Sequence, residues 1–103
     1  MNVFCVVGRL QELPELRETS AGVKMSSVKL KVERPYANSE GIYESDILQV
    51  EVWRGLAETI CHNVKTDDLL AVKGRIASYK VEKDDRTYYN YSFIAEKMDF
   101  LRN

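Results

Sequence analysis

Cations and aromatic rings recur together on the strand-like stretches of this chain, on faces that burial does not require. In Lys24 to Val32, KMSSVKLKV, Ser27, Lys29 and Lys31 alternate with Val28, Leu30 and Val32, so one face is basic and the other aliphatic. In Ser45 to Trp53, Ile47, Gln49, Glu51 and Trp53 alternate with Leu48, Val50 and Val52, and the mixed face ends on the only tryptophan. Further on, Lys73, Arg75, Ala77, Tyr79 and Val81 share the face opposite Leu70, Val72, Gly74 and Ile76. A polar loop, ANSEGIYE, lies between Tyr36 and the second of these strands and carries Tyr43. A basic strand face serves either as ordinary solvated surface or as a phosphate track. A lone tryptophan is either part-buried core or a platform for a flat ligand. Spacing alone leaves both pairs of alternatives open.

Catalytic chemistry finds less support. An enzyme needs a positioned acid, base, nucleophile or metal, yet the only histidine, His62, falls on the polar side of a helical pattern, and no HExxH, GxSxG or P-loop motif is present. Asp67 with Asp68 and Asp84 with Asp85 are adjacent pairs in turns, where solvated charge is the ordinary role. Cys5 and Cys61 lie in apolar patterns without a CxxC partner, which predicts buried free thiols of a reducing compartment. The expectation is a protein that is not an enzyme and holds no cofactor and no metal.

The elements that must position these side chains read as follows. Asn2 to Leu10, NVFCVVGRL, is a first strand in which Gly8 permits a bulge or bend. QELPELRETSAGV is a bent connection with a turn at Ser20, Ala21 and Gly22. After the third strand the period changes. Leu56, Ile60 and Val64, with Ala57 and Cys61, form an i, i+4 stripe, a helix suited to plug one end of a small β structure. KTDD leads to the fourth strand, EKDDR is a charged turn, and Thr87 to Ala95 is the fifth strand. There Tyr89, Tyr91 and Phe93 alternate with Tyr88, Asn90 and Ser92, and periodicity does not decide which set faces inward. The last stretch, EKMDFLRN, reads as a short final strand or docking segment. Five strands with one helix between the third and fourth is the order of an all-β, five-stranded OB-fold, a Greek-key barrel whose second and third strands bind oligonucleotides or oligosaccharides.

Size and charge set the remaining bounds. The 103 residues make one domain, 1–103, burying somewhat over ~60% of the surface of the unfolded chain. With 45% hydrophobic and 30% charged residues, the composition is that of a folded protein rather than a disordered one. Fifteen Lys and Arg against sixteen Asp and Glu leave a net charge of −1, so any polyanion site has to be a local patch. No apolar run reaches the ~18 residues of a membrane span, and a strand pattern begins directly after Met1, which predicts a cytoplasmic protein with no membrane partner.

Seven segments taken in order resemble the bacterial-type single-stranded DNA-binding proteins: VVGRL (Val6 to Leu10), PELR (Pro14 to Arg17), the Thr19 to Gly22 turn, ERPY (Glu33 to Tyr36), VEVWRGLAE (Val50 to Glu58), KGRI (Lys73 to Ile76) and AEKMDFL (Ala95 to Leu101). The resemblance covers essentially the whole chain. It implies sequence-independent binding of single-stranded DNA in replication, recombination or repair, with bases stacked on aromatics and phosphates held by Lys and Arg; the stacking mechanism is that family's own. By resemblance, Tyr36 and Trp53 fall on stacking positions. Two further family aromatics correspond to Ile47 and Val81, which cannot stack, and Tyr79 is the candidate replacement. The basic candidates are Lys29, Lys31, Arg34, Arg54, Lys73, Arg75 and Lys80, of which Arg34 and Lys80 match family positions best. The resemblance also implies a homo-oligomer paired through first strands, a tetramer being favoured over a dimer, in the bacterial cytoplasm and associated with the nucleoid. Family members continue into an acidic-tipped tail that recruits replication and repair proteins, whereas this chain stops at Asn103 and is expected to carry no such tail. The alternative within the same fold is a dimeric relative of primosomal replication protein N, acting mainly through protein contacts.

Overall fold

The computed structural model describes residues 1–101; Arg102 and Asn103, the end of the expected 1–103 domain, lie outside the described residues. The elements are β1 (Phe4–Leu10), β2 (Arg17–Glu18), β3 (Lys24–Glu33), β4 (Ser45–Trp53), α1 (Arg54–Asn63), β5 (Leu69–Lys83) and β6 (Arg86–Phe100). The five expected strands and the single helix are therefore present, and a two-residue strand, β2, is added by a hairpin onto β3. Its turn is the expected one at Ser20 to Gly22, with Gly22 at a φ of 81°, in the left-handed region that glycine enters without steric cost.

The ladder runs β1-β5-β6-β4-β3-β2, with β1 also touching β3 through Arg9↔Lys31 and Leu10↔Leu30. Two long antiparallel pairings dominate, β5 with β6 and β3 with β4. A parallel junction, Val50↔Phe93 and Glu51↔Ile94, joins the two halves.

Alternation explains the interior. Ser26, Val28 and Leu30 of β3, Val50 and Val52 of β4, and Leu70 and Val72 of β5 are buried. Ser26 is tolerated there because its hydroxyl donates to the Glu15 carbonyl at 2.7 Å, which satisfies the polar group and ties the bent connection down. Complete burial of Leu30 or Val52 stabilises the fold by about 1.5–3 kcal/mol each. From α1, Ala57 and Ile60 join this core together with Val64, while Leu56 and Cys61 are only part-buried. The helix packs on β3 and β4, as the stripe requires.

Several local readings are corrected. Gly8 makes no bulge: it stays in the ladder opposite Leu70, and a Cβ there would lie 2.8 Å from the Lys31 carbonyl oxygen, so glycine is required by close approach of β3. The irregularity sits instead at Lys73/Gly74, where Glu96 is the extra residue on β6 between Ala95 and Lys97. Because that bulge keeps pairing alive, EKMDF is the continuation of β6 rather than a separate strand. Cys5 is exposed on the outer face of β1 and Cys61 is part-buried, so neither is a buried thiol. Ile76, expected inward, is 38% exposed, because β5 has by then left the barrel.

That departure defines a two-stranded ribbon. β1 ends its pairing at Phe4↔Gly74, and β4 meets β6 only at Phe93 and Ile94. Asn2 terminates the β1 side like a false ladder residue: its side-chain amide donates to the Ile76 carbonyl at 2.6 Å and accepts from the Ile76 N–H at 2.9 Å. Beyond that point β5 and β6 have only each other.

Candidate nucleic-acid interface

The register of β3 on β4 decides which expected site residues meet. Met25 lies opposite Trp53, Ser27 opposite Glu51, Lys29 opposite Gln49 and Lys31 opposite Ile47, all on the outer face. The junction with β6 continues one row across the sheet, Ser27, Glu51, Ile94 and Arg75. Lys29, Lys31, Trp53 and Arg75 thus share one continuous surface. Ile47, opposite Lys31 at the end of this surface remote from Trp53, is 52% exposed and presents an aliphatic side chain rather than a ring.

Trp53 is placed by two elements at once. It closes β4 and serves as N-cap of α1 in extended conformation, with no side-chain capping bond, so its ring has no capping duty. The next residue, Arg54, begins the helix at a φ of 57°. Left-handed backbone in a residue with a Cβ costs about 1–2 kcal/mol, and here it turns the chain from strand to helix while leaving Trp53 part-exposed and Arg54 exposed.

The other expected residues lie at the margins. Tyr36 is 66% exposed in the β3–β4 loop, where the Asn38 side chain accepts from the Glu40 and Ile42 amides and donates to Glu44 at 2.9 Å. Tyr79 and Lys80 sit on the ribbon, opposite Asn90 and Tyr89. Lys73 is set apart. Its neighbours are Cys5 on β1 and Lys97 on β6, so it belongs to a different part of the outer surface, with Val7 and Ala71 nearby.

Two of the cations are engaged by carboxylates. Lys29 Nζ lies 2.9 Å from Glu12 Oε1. Arg34 is held by Asp46 and by Glu44 at the root of the loop, through all three of its nitrogens. The hydrogen bond to Asp46 is the main reason that the guanidinium is raised above its ordinary value, and its counterpart lowers the Asp46 carboxyl. Among the described residues, no ion pair engages Lys31, Arg54, Lys73, Arg75 or Lys80. His62 is exposed on α1 with Nδ1 2.6 Å from the Glu58 carbonyl, and among the described residues no three metal-binding side chains converge.

The tyrosines left undecided by periodicity prove to be exposed on both faces: Tyr88 by 47%, Tyr89 by 59% and Tyr91 by 68%. A ribbon without a covering layer buries neither side, so no inward set exists. Only Phe93, at the junction, enters the core, with its ring edge-on to Phe4 at 5.2 Å.

The chain that carries this platform matches the family model of the single-strand binding protein family over residues 1–101. The chain belongs to that family. It is 38% identical over 104 residues to single-stranded DNA-binding protein 3 of Listeria innocua, covering all of this chain and 65% of the relative. It is 33% identical to the single-stranded DNA-binding protein of Oceanobacillus iheyensis, over 98% of this chain and 63% of that one. The chain therefore spans somewhat under two thirds of the length of these relatives. A solved structure, a deletion mutant of the single-stranded DNA binding protein from Thermus aquaticus, superposes with a TM-score of 0.80 over 99% of this chain and 51% of the other at 22% identity, which places the family's OB-fold here. Among the described residues, no helix is long and apolar enough to cross a membrane.

Proposed function

We propose that this member of the family binds single-stranded DNA irrespective of base sequence, stacking bases on Trp53, Tyr36 and Tyr79 and guiding phosphates along Lys29, Lys31 and Arg75. The observation that carries the reading is the shared outer face: a part-exposed tryptophan and three cations in continuous register, two of which, Lys31 and Arg75, are engaged by no ion pair among the described residues. Unpaired bases have π faces that any aromatic can stack, each worth roughly 1–3 kcal/mol, and the backbone phosphates supply a salt-sensitive attraction. Arg54 and Lys80 extend the cationic path toward the helix and the ribbon. Arg34 contributes after its carboxylates release it. Lys73 is the member of the set farthest from this logic and stands on the face suited to contact another copy. The protein acts as a coat rather than a catalyst, in replication, recombination or repair in the bacterial cytoplasm at the nucleoid, with replication or repair proteins as further partners.

A homo-oligomer, a tetramer before a dimer, belongs to the same reading. Among the described residues no strand pairs with the second edge of β1 over Phe4 to Gly8, and Val7 is 51% exposed beside it. An open apolar edge is a template for another strand.

The dimeric, protein-contacting alternative draws on a specific observation as well: Ile47 and Val81 offer no ring, and Lys29 and Arg34 are already paired with carboxylates. Anisotropy of a labelled oligothymidine, set against a duplex of equal length, separates the two. Saturable, salt-sensitive binding that prefers the single strand supports the coating role, and equally weak binding to both supports the alternative.

A further inference from the structure

β6 touches β4 only at Val50↔Phe93 and Glu51↔Ile94 and diverges from it before that point. The divergence opens a cleft whose lining includes Ile47, Gln49 and Glu51 on the β4 side and Tyr91, Phe93 and Tyr79 on the ribbon side. We infer that this cleft is a base-binding subsite in which Tyr91, with Tyr79, clamps one unpaired nucleobase over Ile47. The inference rests on the proposed binding of single-stranded DNA and adds Tyr91 to it as a contact residue.

Register shows why two rings reach one cleft. Tyr79 lies opposite Asn90 and Tyr91 lies opposite Ser78, so the two tyrosines stand on opposite faces of the ribbon. Tyr91 is on β6, the ribbon strand beside β4, and Tyr79 reaches the same cleft from β5. Both are more than half exposed, at 52% and 68%, and among the described residues neither hydroxyl has a hydrogen-bond partner and neither ring has an aromatic one. Ile47 offers an apolar floor, 52% exposed, on the same outer face of β4 as Trp53. Six residues of strand, about 20 Å, separate Ile47 from Trp53, so a single strand lying along β4 from the tryptophan reaches the cleft. Arg75 on the adjoining row and Lys80 beside Tyr79 bring positive charge to its phosphates. An aliphatic at position 47 then makes sense as a floor, with the stacking supplied from the ribbon.

The test uses the full chain with Tyr91→Leu, which keeps apolar bulk and removes the ring, and Tyr91→Phe, which keeps the ring and removes the hydroxyl. Affinity for a long oligothymidine is measured at two salt concentrations, and melting temperature is recorded for each variant. The subsite predicts that Tyr91→Leu weakens binding roughly 5- to 150-fold at an unchanged melting temperature and salt slope, and that Tyr91→Phe binds like the parent. Parent-like binding by Tyr91→Leu overturns the clamp while leaving the proposed function standing. Weakening by both variants alike overturns stacking as its basis. If the parent itself fails to bind the oligothymidine, the underlying reading falls and the subsite with it.

Discussion

Arg34 and Asp46 meet through two parallel hydrogen bonds, Nε to Oδ2 at 3.2 Å and Nη2 to Oδ1 at 2.8 Å, while Nη1 donates to Glu44 Oε2 at 2.8 Å. A fork that matches a carboxylate in this way also matches a phosphate. The β3–β4 loop is thus pinned by a group that the DNA would compete for, and the two carboxylates set the terms of that competition.

The pair has a pH signature. The hydrogen bond from Arg34 holds the Asp46 carboxyl below its ordinary range against the opposing effect of desolvation. A carboxylate with a depressed folded-state value contributes stability above its unfolded value, about 3.9, that is lost as pH falls through the folded value. Asp46→Asn should therefore lower the melting temperature near neutral pH, and the difference from the parent should close as pH drops from about 4 toward 2. A gap of constant size across that range would show that the ion pair is not its source.

Glu12 stands to Lys29 as a smaller version of the same restraint. The pair is exposed and worth at most about 1 kcal/mol to stability, yet it occupies a cation on the proposed DNA-binding face. Glu12→Gln should leave the melting temperature nearly unchanged, tighten oligothymidine binding and steepen the log–log salt dependence by up to about 0.7, the increment for one additional phosphate contact on a single strand. Unaltered affinity and slope would remove Lys29 from the track.

The ribbon turn carries avoidable strain. Asp84 and Asp85 both adopt left-handed backbone, with φ of 52° and 61°, the geometry of a type I′ turn that favours Asn-Gly. Replacing the pair by Asn-Gly should raise stability by about 1 kcal/mol, since glycine at the second position is free of the left-handed cost that a residue with a Cβ carries. Thermal unfolding reads this directly, and a destabilised variant would mean that the turn charges serve the fold.

Gly74 is required by space, not by backbone conformation. It sits at the β-bulge where β5 crosses β6, and a Cβ there would overlap the Ile94 carbonyl and approach the Phe4 ring to 2.8 Å. Gly74→Ala should cost about 3 kcal/mol or more, through separation of the two strands. Chemical denaturation with a midpoint like that of the parent would contradict the geometry.

Much of this was legible in the chain because buried faces alternate. Val28 and Leu30, Val50 and Val52, Leu70 and Val72, and the Ala57–Ile60–Val64 stripe all lie where period 2 or 3.6 puts them. Alternation reports burial against a second layer, so it failed where that layer is missing: at Tyr88, Tyr89 and Tyr91 on the ribbon, and at Cys5 on the open side of β1. Resemblance carried Trp53 and Tyr36 to the outer surface. It could not reveal that Lys29 and Arg34 are held by Glu12, Glu44 and Asp46, because those contacts join residues 10 or more positions apart and depend on register and loop closure. Tyr91 was missed for the same reason, its cleft arising only where β6 parts from β4.

The central claim is that Trp53 stands on a single-strand binding face, and its own fluorescence tests it, since the chain has one tryptophan. Oligothymidine should be titrated into the protein at low and moderate salt, with the mass in solution recorded. The account predicts strong quenching that saturates and weakens as salt rises, on an oligomer of four chains. Binding without any change in Trp53 emission would take the tryptophan off the face, and no binding at either salt concentration would contradict the account altogether.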